Sequence, residues 1–195
     1  MVAQVKPALI LLVIFTVLTG ILYPLLVTGL AQTFFPRQAN GSLVTVGGQV
    51  VGSQRIGQQF NDPGYFWGRP SASAGGVYNA SASGGSNYSV LNPALLEQVS
   101  LRLSVLKMAD PQNPLPVPVD LVTASGSGLD PDISVAAAQY QAARVARERG
   151  MSVDQVLGLI EQHTRGRMLG ILGEQTVNVL ELNLALDGIQ YMYDR

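Results

Sequence analysis

A single histidine, His163, lies two residues after Glu161 and just before Thr164. An imidazole beside a carboxylate is raw material for activating one of the chain's many serines, as in a Ser–His–acid triad. No G-x-S-x-G elbow accompanies it, and a lone histidine near a helix end more often answers the last carbonyls of that helix. Gly84-Gly85-Ser86-Asn87 is a second candidate, because backbone N–H groups of such a loop can cradle an anion. It lacks the G-x-G-x-x-G spacing, and a structural turn is the plainer reading. Asp130 and Asp132 flank Pro131 as turn residues do, rather than as metal ligands. Arg144, Arg147, Arg149, Arg165 and Arg167 cluster in sequence. Three of them end a helix, where cations suit the macrodipole, so a solvated face is the default and a partner or lipid-headgroup patch the alternative. Tyr65-Phe66-Trp67-Gly68-Arg69-Pro70 joins aromatics to arginine, the mixture protein interfaces enrich. Core packing explains the same run equally well.

Composition removes several chemistries. With Cys 0 there is no disulfide scaffold, thiolate zinc site or cysteine nucleophile, and with His 1 no multi-histidine metal site. A formal charge of -1 leaves no electrostatic footprint for nucleic acid. The lysines are Lys6 and Lys107, neither following a glycine, so no phosphate loop ending in Gly-Lys exists. An Asp-Lys-Thr-Gly phosphorylation site is absent too.

What must position these residues starts with a tether. From Ala8 to Leu30 the chain reads ALILLVIFTVLTGILYPLLVTGL, and nothing between Lys6 and Arg37 is charged. Roughly twenty-three such residues at 1.5 Å rise cross the ~30 Å hydrocarbon layer of a bilayer. The expectation is a stub over 1–7, a transmembrane helix over 8–31 and a body over 37–195. Gly29-Leu30-Ala31 resembles a signal cleavage site, but the apolar run exceeds the ~7–15 residues of a signal core. Pro24 interrupts the helix, and Gly20 and Gly29 are small enough for close helix approach, so these three are candidate contacts with partner helices. Lys6 before the span favours, by a small margin, a cytoplasmic N-terminus and an extracytoplasmic body.

The body of roughly 160 residues suffices for one domain. Leu43–Val46 and Gln49–Ile56 around Gly47-Gly48 read as a hairpin. The stretch Gln58 to Asn92 is Gly/Ser/Ala/Asn-rich, yet its six aromatics argue for an ordered loop packed on the body. Asn92-Pro93 opens a helix carrying Leu96, Val99, Leu103 and Leu106, ended by Asp110-Pro111. Leu121-Val122-Thr123 is a strand candidate. Ser134 caps a helix that stops at Gly150, and Ser152 with Gln155 forms a capping box opening the next, flanked by Met151 and Val156. For 178–190 both a helix capped by Asn178 and a strand from the alternation of Leu182, Leu184 and Leu186 fit. The fold class is one N-terminal transmembrane helix plus an α+β extracytoplasmic domain with a small antiparallel sheet and about four helices.

The chain resembles the C-subunit family of the Kdp-type potassium-transporting ATPases. The resemblance rests on Tyr65-Phe66 with Arg69-Pro70-Ser71-Ala72, Ala82-Ser83-Gly84-Gly85-Ser86-Asn87, Asn92-Pro93, the run Asp120 to Asp130, His163-Thr164 and the run Val177 to Asp187, together with the single N-terminal span. Tyr88 departs from the family, which usually has a small or aliphatic residue there. The resemblance implies a bacterial inner-membrane complex in which a channel-like subunit conducts potassium, a P-type ATPase subunit is phosphorylated, and a small single-helix subunit accompanies them. It implies a C subunit needed for assembly that acts as a catalytic chaperone, raising the ATP affinity of the ATPase subunit. It also implies no cofactor of its own, ATP and potassium being handled by partners; the remaining contact is membrane lipid. Two other classes stay open on the residues alone: a tethered outer-face hydrolase using His163, and a tethered binding module using the Gly/Ser/aromatic region.

Overall fold

The computed structural model describes residues 4–193; the first three residues of the expected stub and the last two of the body lie outside them. The chain forms two compact units, one of residues up to Leu43 with Tyr193, the other Val44–Met192.

The first unit is dominated by one apolar helix, Val5–Phe34, longer at both ends than the sequence expectation and long and apolar enough to cross a membrane. It comprises α1 (Val5–Val17), a π turn (Leu18–Leu22) and α2 (Tyr23–Phe34). The π turn has a physical cause. Pro24 offers no N–H to the carbonyl one turn earlier, and widening the preceding turn shifts the bonding register, with Tyr23 N–H reaching Leu18 O. Thr19 and Thr33 return their hydroxyls to the carbonyls of Phe15 (2.6 Å) and Gly29 (2.7 Å), so neither leaves its hydroxyl unbonded on this apolar helix. A short helix α3 (Pro36–Ala39) follows, and the Arg37 guanidinium lies 3.3 Å from the Tyr193 ring centre.

The second unit is α+β. Strands β1 (Leu43–Val46) and β2 (Gln49–Ser53) form the expected hairpin, with φ of 58° and 82° at Gly47 and Gly48, where only glycine is unstrained. The second strand is shorter than the sequence suggested, because Arg55 N–H turns back to Ser53 Oγ at 3.0 Å. With β6 (Met192–Tyr193) the sheet order is β2-β1-β6. A second sheet, order β3-β5-β4, comprises Asp132–Ser134, Thr176–Asn178 and Thr164–Arg165, and its pairings are antiparallel.

Four helices complete the unit: α4 (Pro93–Ala109), α5 (Val135–Arg149), α6 (Val153–His163) and α7 (Val179–Leu186). Their starts follow the sequence. Asn92, Ser134, Ser152 and Asn178 each accept a backbone N–H of the first turn, and Ser152–Gln155 is a full capping box. Gly150 ends α5 in the left-handed conformation. The 178–190 ambiguity resolves because Asn178 is at once the last residue of β5 and the cap of α7. The core gathers Leu106, Leu121, Ile133, Tyr140, Val145, Val156, Ile160, Val177 and Leu182, with Met151 packed against it. Leu96, expected on the apolar face of α4, is exposed; burial there concentrates at Leu106.

One expectation fails outright. Leu121 to Thr123 is not a strand: Val119–Leu121 is a 3-10 turn, continued by bonds from Val122 and Thr123 N–H to Val119 O. The turn aims Asp120 at the start of α5, where its carboxylate accepts Ser134 N–H (2.8 Å) and Oγ–H (3.2 Å). That side-chain to backbone bonding outcompetes the weak β-propensity of three residues.

Between β3 and α7 lies a polar cluster. Asn178 Nδ2 donates to Asp132 Oδ1 (2.9 Å), while Arg165 pairs with Glu181 (2.8 Å) and stands 3.7 Å from Asp132. Burial raises the Asp132 carboxyl, with Arg165 opposing. A carboxyl whose folded value is the higher one favours the folded state most below its ordinary value near 3.8, and that contribution is lost as pH rises through the folded value. Asp132→Asn keeps an acceptor for Asn178 and is expected to gain stability relative to the parent as pH rises through that acidic window. Denaturant unfolding at stepped pH checks this; parallel profiles for parent and variant would contradict it.

Candidate functional site

The run Tyr65–Pro70 has no strand neighbour, yet its backbone is held as if it had one. Asn183 on α7 accepts Phe66 N–H at 2.8 Å and donates back to Phe66 O at 3.0 Å. Gln141 on α5 does the same for Trp67, at 2.8 and 3.1 Å. Two side-chain amides thus replace a β-ladder, which is why an irregular segment can be buried without orphaned peptide groups. Phe66 is 0% and Trp67 6% exposed. At about 25 cal/mol per Å² each contributes roughly 2–3 kcal/mol by burial. The packing alternative therefore describes these two side chains, which lie inside the body and offer no surface there. Tyr65 is half-buried, and its hydroxyl reaches Asp187 at 3.0 Å.

Arg144 sits beneath this run and is 2% exposed, against the expectation of a solvated arginine face. Its guanidinium donates to the carbonyls of Pro63 and Tyr65 and to Gln141 Oε1, and lies 4.3 Å from the Trp67 ring centre. Burial pulls it down to about 10, still protonated at neutral pH. Others of the cluster are paired: Arg149 with Asp187 (2.8 Å), Arg147 with Asp110 (2.9 Å) and Arg165 with Glu181. Arg167 is exposed.

Arg69 and Pro70 have a different setting. They line an open cleft of about 620 Å³ with Ser71, Tyr78, Ser86 and Arg102. Arg69 pairs with Asp130 at 3.0 Å, and Tyr78 donates to Arg69 O at 2.7 Å. Burial raises the Tyr78 hydroxyl and lowers the Arg102 guanidinium. Arg102 holds two loops together through Leu121 O (3.1 Å) and Gly68 O (3.2 Å). Gly84 N–H is committed to Ser127 O at 2.8 Å, while Gly85 and Ser86 reach the cleft wall. The facing loop approaches closely because Gly128 has φ 68°; a Cβ there would lie 2.7 Å from Gly84 O. The exposed Tyr88, the family departure, lines the same cleft.

His163 ends α6 with Nδ1 2.9 Å from Leu159 O, a helix-end contact. Asp130 and Asp132 are occupied by Arg69, Asn178 and Arg165. Among the described residues no group of three His, Asp or Glu side chains is placed to hold a metal ion. The cleft lining, among these residues, includes no carboxylate or imidazole. The cleft presents hydroxyl, amide and guanidinium groups, chemistry suited to binding. Gln141, Asn183, Tyr78 and Arg102 were missed from sequence. The available signal was a polar residue inside an apolar run, Asn183 between Leu182 and Leu184 and Arg102 between Leu101 and Leu103.

Comparison with known proteins places this architecture. The family described as KdpC, K+-transporting ATPase c chain, matches residues 5–188, spanning both the apolar helix and the body. The chain belongs to the KdpC family. Its relatives include potassium-transporting ATPase KdpC subunits of Herpetosiphon aurantiacus, 62% identical over 95% of this chain and 96% of that protein, and of Methylococcus capsulatus, 60% identical over 97% and 100%. A third, from Sorangium cellulosum, is 58% identical over 96% of this chain and 99% of that protein. The KdpC match thus covers the Tyr65–Pro70 run, the cleft and the capped helices alike.

Proposed function

We propose that this chain is a non-catalytic accessory subunit of a potassium-importing ATPase, tethered by Val5–Phe34. It is needed for assembly and raises the ATP affinity of the P-type ATPase subunit from a distance. One observation carries the reading: the family match runs from the tether through the body, and the relatives bear the name of a potassium-transporting ATPase subunit. The partners are a channel-like potassium subunit, the P-type ATPase subunit and a small single-helix subunit, with lipid around the span; nucleic acid is no partner. ATP and potassium are handled by those partners. Gly20, Pro24 and Gly29 are the candidate helix contacts, and a side chain added at either glycine would meet nothing within this chain, leaving room for a neighbouring helix. Arg69, Pro70 and the Gly84–Asn87 loop are the candidates on the body surface.

The N-terminus is cytoplasmic and the body extracytoplasmic in the inner membrane, an orientation that rests on Lys6 preceding the span. Two measurements check this. An affinity tag on this chain should recover the other pump subunits from solubilised membranes, and recovery of this chain alone would contradict the assembly role. A reporter active only in the cytoplasm, fused after Arg195, should be silent; strong activity would reverse the topology.

A further inference from the structure

The connection between β4 and β5 has no part in the site above. Residues 166–175 are all exposed, and among them stand Met168, Leu169, Ile171 and Leu172, at 68%, 84%, 75% and 50% exposure. This is no floppy loop. Met168 and Leu172 exchange backbone hydrogen bonds, 2.9 Å each way, while Ile171 N–H reaches Met168 O and Gly170 N–H reaches Arg167 O. Four tip N–H groups are therefore satisfied inside the loop, which removes the main cost of taking peptide groups out of water. Leu169 takes a left-handed φ of 55°, which a bulky residue adopts only under constraint. Gly166, Gly170 and Gly173 punctuate the turn.

We propose that this hairpin tip is a membrane-dipping element that inserts Met168, Leu169, Ile171 and Leu172 into the interfacial layer of the bilayer that the Val5–Phe34 helix spans. Three observations select lipid as the occupant. The tip is a wholly exposed run of aliphatic and thioether side chains, apolar area of the kind that partitions into a bilayer interface. From Gly166 to Gly173 the charge is Arg167, exposed at the base and attractive to anionic headgroups; Arg165 is held by Glu181, and Glu174 closes the exposed stretch. The same chain carries a helix able to span a bilayer, so a tethered body samples the membrane surface at high effective concentration. The inference rests on that helix being an anchor.

The chain has no cysteine, so Leu169→Cys and, separately, Ile171→Cys allow one environment-sensitive fluorophore to be placed at the tip. Glu97→Cys, on the exposed side of α4, is the control. The full chain is reconstituted in phosphatidylethanolamine–phosphatidylglycerol vesicles, and quenching by lipid-borne nitroxide is compared with quenching by iodide. Tip probes should show blue-shifted emission and a lipid-to-iodide quenching ratio several-fold above the control. Iodide quenching equal to the control would overturn the proposal. Protection from both quenchers once the chain is in the assembled pump would overturn it in favour of a protein pocket. Failure of the chain to float with the vesicles would overturn the anchor, and the hairpin proposal with it.

Discussion

Arg144→Ala is expected to destabilise the body by about 3 kcal/mol or more. The guanidinium holds two backbone carbonyls and Gln141 Oε1 and stacks on Trp67. Its removal leaves the part-buried Pro63 and Tyr65 carbonyls without their donor at roughly 1–3 kcal/mol each, Gln141 Oε1 keeping the Trp67 N–H, and forfeits about 1–2 kcal/mol of cation–π contact. Relief of the desolvation that lowers its pKa offsets part of this. Arg144→Lys should recover little, because one ammonium cannot serve three acceptors in the plane of a guanidinium fork. Trp67 is the sole tryptophan, so its emission reports this site directly during denaturant unfolding. A loss below about 1 kcal/mol, no more than a surface contact, would contradict the buried-network account.

The second large effect concerns the tether. Its Ala8–Leu30 stretch holds about fifteen Leu, Ile, Val and Phe residues, which favour insertion by several kcal/mol at a few tenths each. Two aspartates near its middle, Val13→Asp with Leu22→Asp, would each cost about 3 kcal/mol there and together cancel that surplus. Both side chains are exposed along the helix, so no packing within this chain compensates. The double variant should leave the membrane fraction, whereas Val13→Ala with Leu22→Ala should stay. Retention of the charged variant in alkali-washed membranes would contradict a lipid-spanning helix.

Much of the fold is legible in short-range chemistry. Each long helix of the body begins at a side-chain cap visible in the sequence, and the Gly47-Gly48 turn announces its hairpin, because these signals act within four residues. The burial of Arg144 is not legible in this way. Its setting is made by Pro63, Tyr65 and Trp67, about eighty positions away in the chain, and from sequence an arginine near a helix end suggests only the macrodipole. Leu121–Thr123 misleads for a similar reason, since Asp120 turns the chain toward Ser134, well beyond the four-residue reach of a cap. At Tyr65–Pro70 the residue types fit an interface and a core equally; the choice follows from Gln141 and Asn183, two amides on separate helices. In the Gly84–Asn87 loop the Gly84 N–H is taken by Ser127 O, a partner far along the chain that no local motif announces.

Under the proposed function this subunit tunes ATP use without holding the nucleotide. A tenfold gain in apparent affinity needs only about 1.4 kcal/mol of preference for the ATP-binding conformation of its partner. The most direct measurement is equilibrium binding of ATP to the full chain alone in detergent, set beside ATP binding to the P-type ATPase subunit alone and in the assembled pump. The account predicts no saturable binding to the isolated chain at micromolar ATP, and a P-type ATPase subunit that needs about tenfold more ATP alone than in the assembled pump. Saturable micromolar binding, abolished by substitutions in Gly84–Asn87, would contradict it and make that loop a nucleotide site.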